Sequence, residues 1–582
     1  MLKTQLNIRG IAGLAVGMGL LSAAVLVTLN GCEETESYII QGQSLAHAKA
    51  TVAAVGGEIT HELGIVQAVG ALLTARQHEA IRSAETVRRL YDDRRVETAR
   101  KPVQGNDTVD GVSSDPVADT TSGETAHVTG VMAHQLHAAG ITGDGVTVAV
   151  LDSGLSYYDE IKRGANDELR AFARYDAIAD RELSIWAASN DDNGHATHLM
   201  SVGLNSDDSR DTGHYRGVAP DAGLVSVKAF DADGQGSYAD VIRGIDWLVA
   251  NQDTYDIRVL NLSFSASPRS HYWDDPLNQA VMAAWQAGIV VVASAGNTGP
   301  EPMTIGVPGN VPYVITVGAT TDNYTPDDPS DDKIASFSAA GPSAEGFVKP
   351  DVVAPGGHLI ALMNGDARIV LEHPEFRAVN GTYFTMSGTS QSAAVVTGVA
   401  ALMLQADPSL SPDDVKCRLM ASAKGARNAD GSPLYSILQQ GSGLVDAYAA
   451  VTSTVLGCAN RGLDIATDLA GEEHYAGLVR RDADGNYYLK AIEGQSMLWA
   501  DSMLWADSMQ WGGSMLWGDS MLWADSMLWA DSMLWADSML WADSMLWGDS
   551  MLWADSMLWG DSMLWADTFT EPVAINVWVP QE

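Results

Sequence analysis

The sequence predicts an α/β protein with a mostly parallel sheet flanked by helices, preceded by a small α+β unit and followed by a repeat tail. Three observations predict it. Between residues 126 and 455, short β-branched runs alternate with helical stretches, the alternation from which parallel sheets are built. From Tyr38 to Arg94 the pattern reads strand, helix, strand, strand, helix, strand. From 496 to 567 one hexapeptide recurs twelve times.

The chain opens with Lys3 and Arg9, then an uncharged run from Gly10 to Gly31. A basic start followed by an apolar stretch is an export signal, here residues 1–32. Leu29-Asn30-Gly31-Cys32 is similar to a bacterial lipobox, with Asn at a position usually held by a small or branched residue. Lipid attachment at Cys32, ordinary cleavage and an uncleaved membrane helix all stay open, since about 20 apolar residues suffice to span a bilayer. Only Cys417 and Cys458 remain beyond it, either a disulfide in an oxidising compartment or two buried thiols. Three cysteines exclude a disulfide-rich scaffold and any multi-Cys metal cluster.

Lys plus Arg number 34 against 74 Asp plus Glu, a net charge of -40. That balance argues against nucleic acid as a partner and favours a protein, a cation or a neutral polymer. With 46% hydrophobic residues the chain is nevertheless a folding one.

In the small unit, residues 37–97, Ser44 caps a helix whose apolar face carries Leu45, Ala48, Val52 and Val55. Gly56-Gly57 ends it, and Val87 to Tyr91 closes the unit as a strand. Residues 98–125 lack apolar periodicity and are rich in Asp, Thr, Ser, Gly and Pro, which reads as an exposed linker open to proteolysis.

In the large domain, 126–455, five runs are buried-strand candidates: Val146 to Leu151, Leu224 to Lys228, Val259 to Phe264, Ile289 to Ala293 and Tyr313 to Val317. Four of the five are directly followed by Gly, Asp or Ser, and ligand sites of open α/β sheets gather at the carboxyl ends of strands. Asp152 directly follows the first run; alone, it is an ordinary turn or cap residue. His195 and His198 stand at helical spacing, but the Glu of a HExxH zinc site is missing. Asn297 follows the fourth run in VVASAGNTG, and Ser390 opens an Ala/Val-rich helix in SGTSQSAAVVTGVAAL.

Asp, His, Ser in that chain order is one of the orders in which a catalytic triad occurs. With RGVAPDAGLVSVKAF at 216–230, FSAAGP at 337–342 and KPDVVAPGG at 349–357, the domain resembles the subtilisin-type serine endopeptidases, and the small unit resembles their ferredoxin-like inhibitor propeptide. Two departures are Ala196, where the family has Gly, and Ala394-Val395 in place of Pro-His.

The resemblance implies hydrolysis of peptide bonds in protein substrates, with no cofactor required. Ser390 is the implied nucleophile, His195 its general base, Asp152 the group that orients the imidazole, and Asn297 an oxyanion donor. Leu262, Ser263 and Phe264 are the implied edge for an extended peptide, and Ser294, Ala295 and Gly306 line the pocket before the scissile bond. Small residues there leave room for a large apolar side chain. The propeptide is implied to act as an intramolecular inhibitor cut off at the linker, so that lipid on Cys32 would anchor only the precursor to a membrane. Two rivals are a surface adhesion or scaffold protein with a vestigial protease domain, and a processing enzyme with one target.

DADGQGS at 231–237 lacks the Glu that completes an EF-hand loop, so no metal site is assigned, and a structural calcium ion is left without residues. Residues 456–495 read as a connecting region and 568–582 as a C-terminal segment. The repeats between them hold 12 of the 17 Trp residues. A period of six spreads Met, Leu and Trp around a helix but keeps each on one face of a strand, so short strands stacked into a β-solenoid are expected, with a disordered spacer or a Trp platform for a polymer as alternatives.

Overall fold

The computed structural model describes residues 34–84, 86–93, 126–208, 213–325, 331–378, 381–428, 430–482, 485–489 and 573–574. The export signal with Cys32, the linker 98–125 and the repeats 496–567 lie outside the described residues.

The small unit follows the expected order: β1 (Thr35–Gly42), a helix (Leu45–Val55), β2 (Glu58–Leu63), β3 (Ala68–Thr74), a helix (Ala75–Arg82) and β4 (Val87–Asp92). Its four strands pair antiparallel in the order β2-β3-β1-β4. Ser44 Oγ accepts the His47 N–H, and Gly56 closes the first helix in the left-handed conformation at φ 73°, where a side chain would be strained. Ala48 and Val52 are buried under the sheet, with Leu45 and Val55 packed at the margin. The other face of the sheet, carrying Ile39, Leu63, Val66 and Ala68, joins the core of the large domain.

The large domain is built on β5 (Thr147–Asp152), β6 (Ala171–Asp176), β7 (Arg181–Leu183), β8 (Gly223–Lys228), β9 (Gln235–Gly236), β10 (Ile257–Leu262), β11 (Val290–Ser294), β12 (Ile315–Thr321), β13 (Lys333–Ile334) and β14 (Val352–Pro355). All but β9 form one sheet, ordered β13-β12-β11-β10-β5-β8-β6-β7 with β14 also on β12. Only the β12–β13 and β6–β7 pairs are antiparallel. From β5 the chain proceeds to one side through β6 and β8, then crosses to the other through β10, β11 and β12. The switch point therefore lies between β5 and β10, where open parallel sheets carry their ligand crevice.

The predicted runs fall on β5, β8, β10, β11 and β12, with shifted ends. β12 starts at Ile315 rather than Tyr313. The reason is local: the Tyr313 and Val314 carbonyls accept from Lys416 Nζ, and Val314 also from Lys349 Nζ, so they are not available to a neighbouring strand.

A helix from Thr389 to Ala406 runs through the middle of the domain and is buried from Thr389 to Leu404. It crosses the helix His195–Leu204 closely. A Cβ on Gly398 would lie 3.2 Å from the Gly203 carbonyl and one on Gly203 would lie 3.1 Å from the Ala394 carbonyl, so small residues set the spacing of the two helices. The remaining strands are β15 (Leu359–Leu362), β16 (Tyr383–Met386), β17 (Val479–Arg481), β18 (Tyr487–Leu489) and β19 (Val573–Ala574).

Of residues 456–495, read as a connecting region, the described stretch 456–482 packs onto the domain. A disulfide joins Cys417 to Cys458. Asp468 accepts hydrogen bonds from Tyr272 OH at 2.6 Å and Tyr313 OH at 2.9 Å, all three groups buried.

Candidate active site

Asp152 ends β5 at the switch point and is fully buried. Both carboxylate oxygens face His195 Nδ1, at 2.9 and 3.0 Å, and Oδ1 also accepts the Ser153 N–H at 2.7 Å. An Asp bonded this way holds the imidazole with its proton on Nδ1, leaving Nε2 as the basic nitrogen. Nε2 is buried and has no hydrogen-bond partner among the described residues.

Two features fix His195 at the start of its helix. Gly194 precedes it at φ 101°, and a Cβ there would stand 2.7 Å from Ala367 Cβ, so glycine is required. Asp191 Oδ1 accepts the Gly194 N–H at 2.8 Å and Oδ2 accepts the Thr197 N–H at 2.9 Å, satisfying the free donors of the helix start. Ser153 Oγ, bonded to Asp191 Oδ1 at 2.7 Å, ties this cap back to the Asp152 turn. Asp191 and Ser153 were not singled out in the sequence; Asp four residues before a site histidine was the signal.

His198 plays a different part. Its Nε2 lies 3.2 Å from the Leu359 carbonyl and 3.1 Å from that of Phe384, and burial pushes its pKa down to about 3. It braces the antiparallel β15–β16 pair, and among the described residues no cluster of His, Cys, Asp and Glu fits a metal ion. Asp231 in the DADGQGS loop accepts the N–H groups of Asp233 and Gln235, each at 3.0 Å, which closes a turn.

Ser390 is the second residue of the central helix, so its N–H is one of the donors that a helix start leaves open. Its Oγ donates to the Ser263 carbonyl at 3.0 Å, and Ser263 Oγ donates back to the Ser390 carbonyl at 3.0 Å. Asn297 follows β11, and its Oδ1 accepts from Thr389 N–H at 2.9 Å and Thr389 Oγ1 at 2.8 Å. That leaves the Nδ2 donor facing Gly388, where a Cβ would stand 3.3 Å from it. The sequence reading passed over Thr389, which orients this amide.

The pocket residues come together at the carboxyl ends of β10 and β11. Gly306 N–H donates to the Ala295 carbonyl at 3.0 Å, and Ala266 and Val307 exchange backbone hydrogen bonds at 3.0 and 2.7 Å. Ser294 Oγ is taken up by the Phe264 carbonyl at 3.0 Å. Leu262 departs from the expectation of a peptide-binding edge. It lies opposite Ala293 inside the sheet, fully buried in the main core, because β10 is flanked on both sides by strands. Phe264 is likewise buried, its ring 5.2 Å from that of Phe230. Beyond the strand, half-buried Ser265, unread in the sequence, stands with Oγ 1.8 Å from where a Gly306 Cβ would be.

The profile of the subtilase family matches residues 143–443. Serine protease AprX of Bacillus subtilis (strain 168) is 41% identical over 281 residues, 47% of this chain and 60% of that protein. M-protease of Shouchella clausii (strain KSM-K16) is 30% identical over 394 residues, 68% of this chain and 81% of its own. Subtilisin BL of Lederbergia lenta is 32% identical over 321 residues, 55% of this chain and 96% of its own. Among solved structures, fervidolysin from Fervidobacterium pennivorans, a keratinolytic enzyme related to subtilisin, superimposes with a TM-score of 0.54 at 23% identity, covering 73% of this chain and 62% of that one. That last likeness is one of fold.

Proposed function

The chain belongs to the subtilase family, and from that premise we propose that it is an exported, self-processing serine endopeptidase. What supports this reading is the buried Asp152–His195 pair at the end of β5, together with Ser390 in the first turn of the central helix next to Thr389, which orients the Asn297 amide. Ser390 Oγ, swung from the Ser263 carbonyl toward His195, gives its proton to Nε2 as it bonds to the scissile carbonyl carbon. The ionised imidazole is stabilised by Asp152 and returns the proton to the leaving amine. The Ser390 N–H and Asn297 Nδ2 donate to the oxyanion. Water then repeats the sequence on the acyl-enzyme.

Ser294, Ala295 and Gly306 are small and uncharged, which supports an apolar residue before the scissile bond and broad cleavage. The small unit serves as the inhibitor propeptide, a reading supported by its contacts with the large domain: Asp93 Oδ1 accepts the Ala239 N–H at 3.2 Å and His61 pairs with Asp240 at 3.1 Å, at the start of the helix Tyr238–Ala250. Cleavage in the linker would free the catalytic domain from any lipid on Cys32.

Purified protein should hydrolyse casein, label with a fluorophosphonate and show a new N-terminus within 98–125, and Ser390→Ala should abolish all three. Casein hydrolysis at the parent rate by Ser390→Ala, or inhibition by a zinc chelator with resistance to the fluorophosphonate, would sink the assignment.

A further inference from the structure

β5 and β8 run side by side in parallel, and their last residues, Asp152 and Lys228, stand opposite one another. Asp152 meets His195 in the site described above, whereas Lys228 touches neither of them there. It is nonetheless nearly enclosed, 8% exposed, at the carboxyl end of the sheet.

The Lys228 ammonium bridges two segments. Nζ donates to the Ser153 carbonyl at 2.9 Å and to the Asn190 carbonyl at 2.7 Å, with exposed Asp192 Oδ2 at 3.7 Å. Ser153 directly follows Asp152, and Asn190 opens the segment 190–194 that leads into His195. Ser226, two residues earlier on β8 and so on the same face, donates from Oγ to the Gly154 carbonyl at 3.2 Å. The two segments also meet directly: the Leu155 N–H donates to Asn190 Oδ1 at 3.1 Å and the Asn190 N–H to the Leu155 carbonyl at 3.2 Å.

Hydrogen bonds from a cation are stronger than those between neutral groups, and here two carbonyls from different segments converge on one nitrogen. With the ammonium removed, their dipoles would repel at close range and the segments would move apart. Asp152 and His195 ride on those segments. Their contacts of 2.9 and 3.0 Å follow from where the segments sit, and a misplacement of about 1 Å costs about 10²-fold in rate.

We propose that Lys228 is a positioning residue for catalysis, clamping the turn after Asp152 to the segment before His195 and so setting the geometry of that pair without touching the reacting atoms. This rests on the peptidase reading of the site. Asp191 joins the same two segments from within the second, through Ser153 Oγ; Lys228 joins them from the neighbouring strand.

Kinetics and hydrogen exchange test the clamp separately, on the full chain. Lys228→Met keeps the stem and removes every donor, and should lower kcat for a chromogenic peptide about 10- to 100-fold with KM within about twofold. Lys228→Arg keeps the charge and the donors and should stay within about threefold of the parent. In an Asp152→Ala background, Lys228→Met should cost less than about twofold, because no carboxylate is left to position. In Ser390→Ala protein, Lys228→Met should quicken hydrogen exchange in peptides from both 152–158 and 189–195, and not in 257–262. An unchanged kcat, the same fold loss with and without Asp152, a loss carried by KM, or exchange that fails to quicken in both segments overturns the proposal. Exchange quickened in both segments of a protein that turns over no peptide in any form faults the peptidase reading and leaves the clamp standing. Should Lys228→Met not fold, Lys228→Gln, one bond shorter and able to reach a single carbonyl, goes through the same measurements, with a smaller loss of the same kind expected.

Discussion

Thr389 Oγ1 donates to Asn297 Oδ1 at 2.8 Å and accepts the Gly296 N–H at 3.2 Å, so one hydroxyl holds both the Asn297 amide, the proposed oxyanion donor, and the backbone beside it. Thr389→Val keeps the shape and removes the lock. Losing an orienting hydrogen bond costs about 1.4 kcal/mol, or about tenfold in rate, if the amide is needed only in the transition state. Steady-state kinetics should show kcat down about tenfold with KM nearly unchanged, and Thr389→Ser should recover most of the loss. A rise in KM alone would show that the hydroxyl serves ground-state binding.

Asp191 carries a different load, because its carboxylate satisfies Gly194 N–H, Thr197 N–H and Ser153 Oγ in a buried turn. Asp191→Ala leaves these donors unpaired, at a cost of about 2–4 kcal/mol in stability. The Tm measured in a Ser390→Ala background should fall by several degrees, and kcat in the active protein should fall with it. An unchanged Tm would mean that water replaces the carboxylate without loss.

The site was legible in the sequence because its residues sit at the ends of apolar strands, where a local pattern and a motif coincide. Asp152 after β5 and Asn297 after β11 are of this kind. What stayed hidden depends on contacts between distant segments. β6 was passed over since AFARYD carries charges, yet Arg174 is buried, with Nη1 and Nη2 donating to the Ala187 and Ala188 carbonyls at 2.9 and 3.0 Å. The connecting region 456–495 looks like a polar connection in the sequence until Asp468 is seen to meet two tyrosines of the domain. Leu262 was read as a peptide edge because a linear run does not tell which strands flank it; the order β11-β10-β5 does.

Asp275 gives the stability a pH dependence whose sign follows from its burial. It caps the helix Pro276–Gln286, accepting the Leu277 and Asn278 N–H groups at 2.9 and 3.0 Å and Tyr238 OH at 3.2 Å. Burial pushes its carboxyl up to about 6, against the pull of those hydrogen bonds. An unfolded aspartate titrates near 3.9, so between about pH 4 and 6 the folded state binds more protons and this group's contribution falls as pH rises. Asp275→Asn keeps the helix cap and abolishes the titration. Calorimetry in the Ser390→Ala background should show the variant gaining on its parent from pH 4 to pH 7, by on the order of 2–3 kcal/mol. A constant difference across that range would remove Asp275 as the source.

Asp93 tests how the small unit is held once the linker is cut. Its Oδ1 accepts the Ala239 N–H at 3.2 Å and its Oδ2 the Ser37 hydroxyl at 2.8 Å, so it joins the unit to the start of the helix Tyr238–Ala250. A carboxylate at a helix start gains from the helix dipole. Burial opposes this charge and raises the pKa, with neighbouring Asp240 adding to the rise while the hydrogen bonds and His61 work against it. The two variants therefore separate hydrogen bonding from charge. Asp93→Asn can keep both acceptor contacts through its carbonyl oxygen only in part, but it is spared the cost of burying a charge. Asp93→Ala loses both contacts and strands the Ala239 N–H, at about 1–3 kcal/mol, or roughly 10- to 100-fold in affinity. Added in trans to the mature enzyme, the isolated 37–97 unit should inhibit, with Ki raised about threefold by Asp93→Asn and at least about tenfold by Asp93→Ala. Equal Ki values for all three would show that the sheet's apolar face holds the unit without Asp93, and a larger loss for Asn than for Ala would show that the charge outweighs the hydrogen bonds.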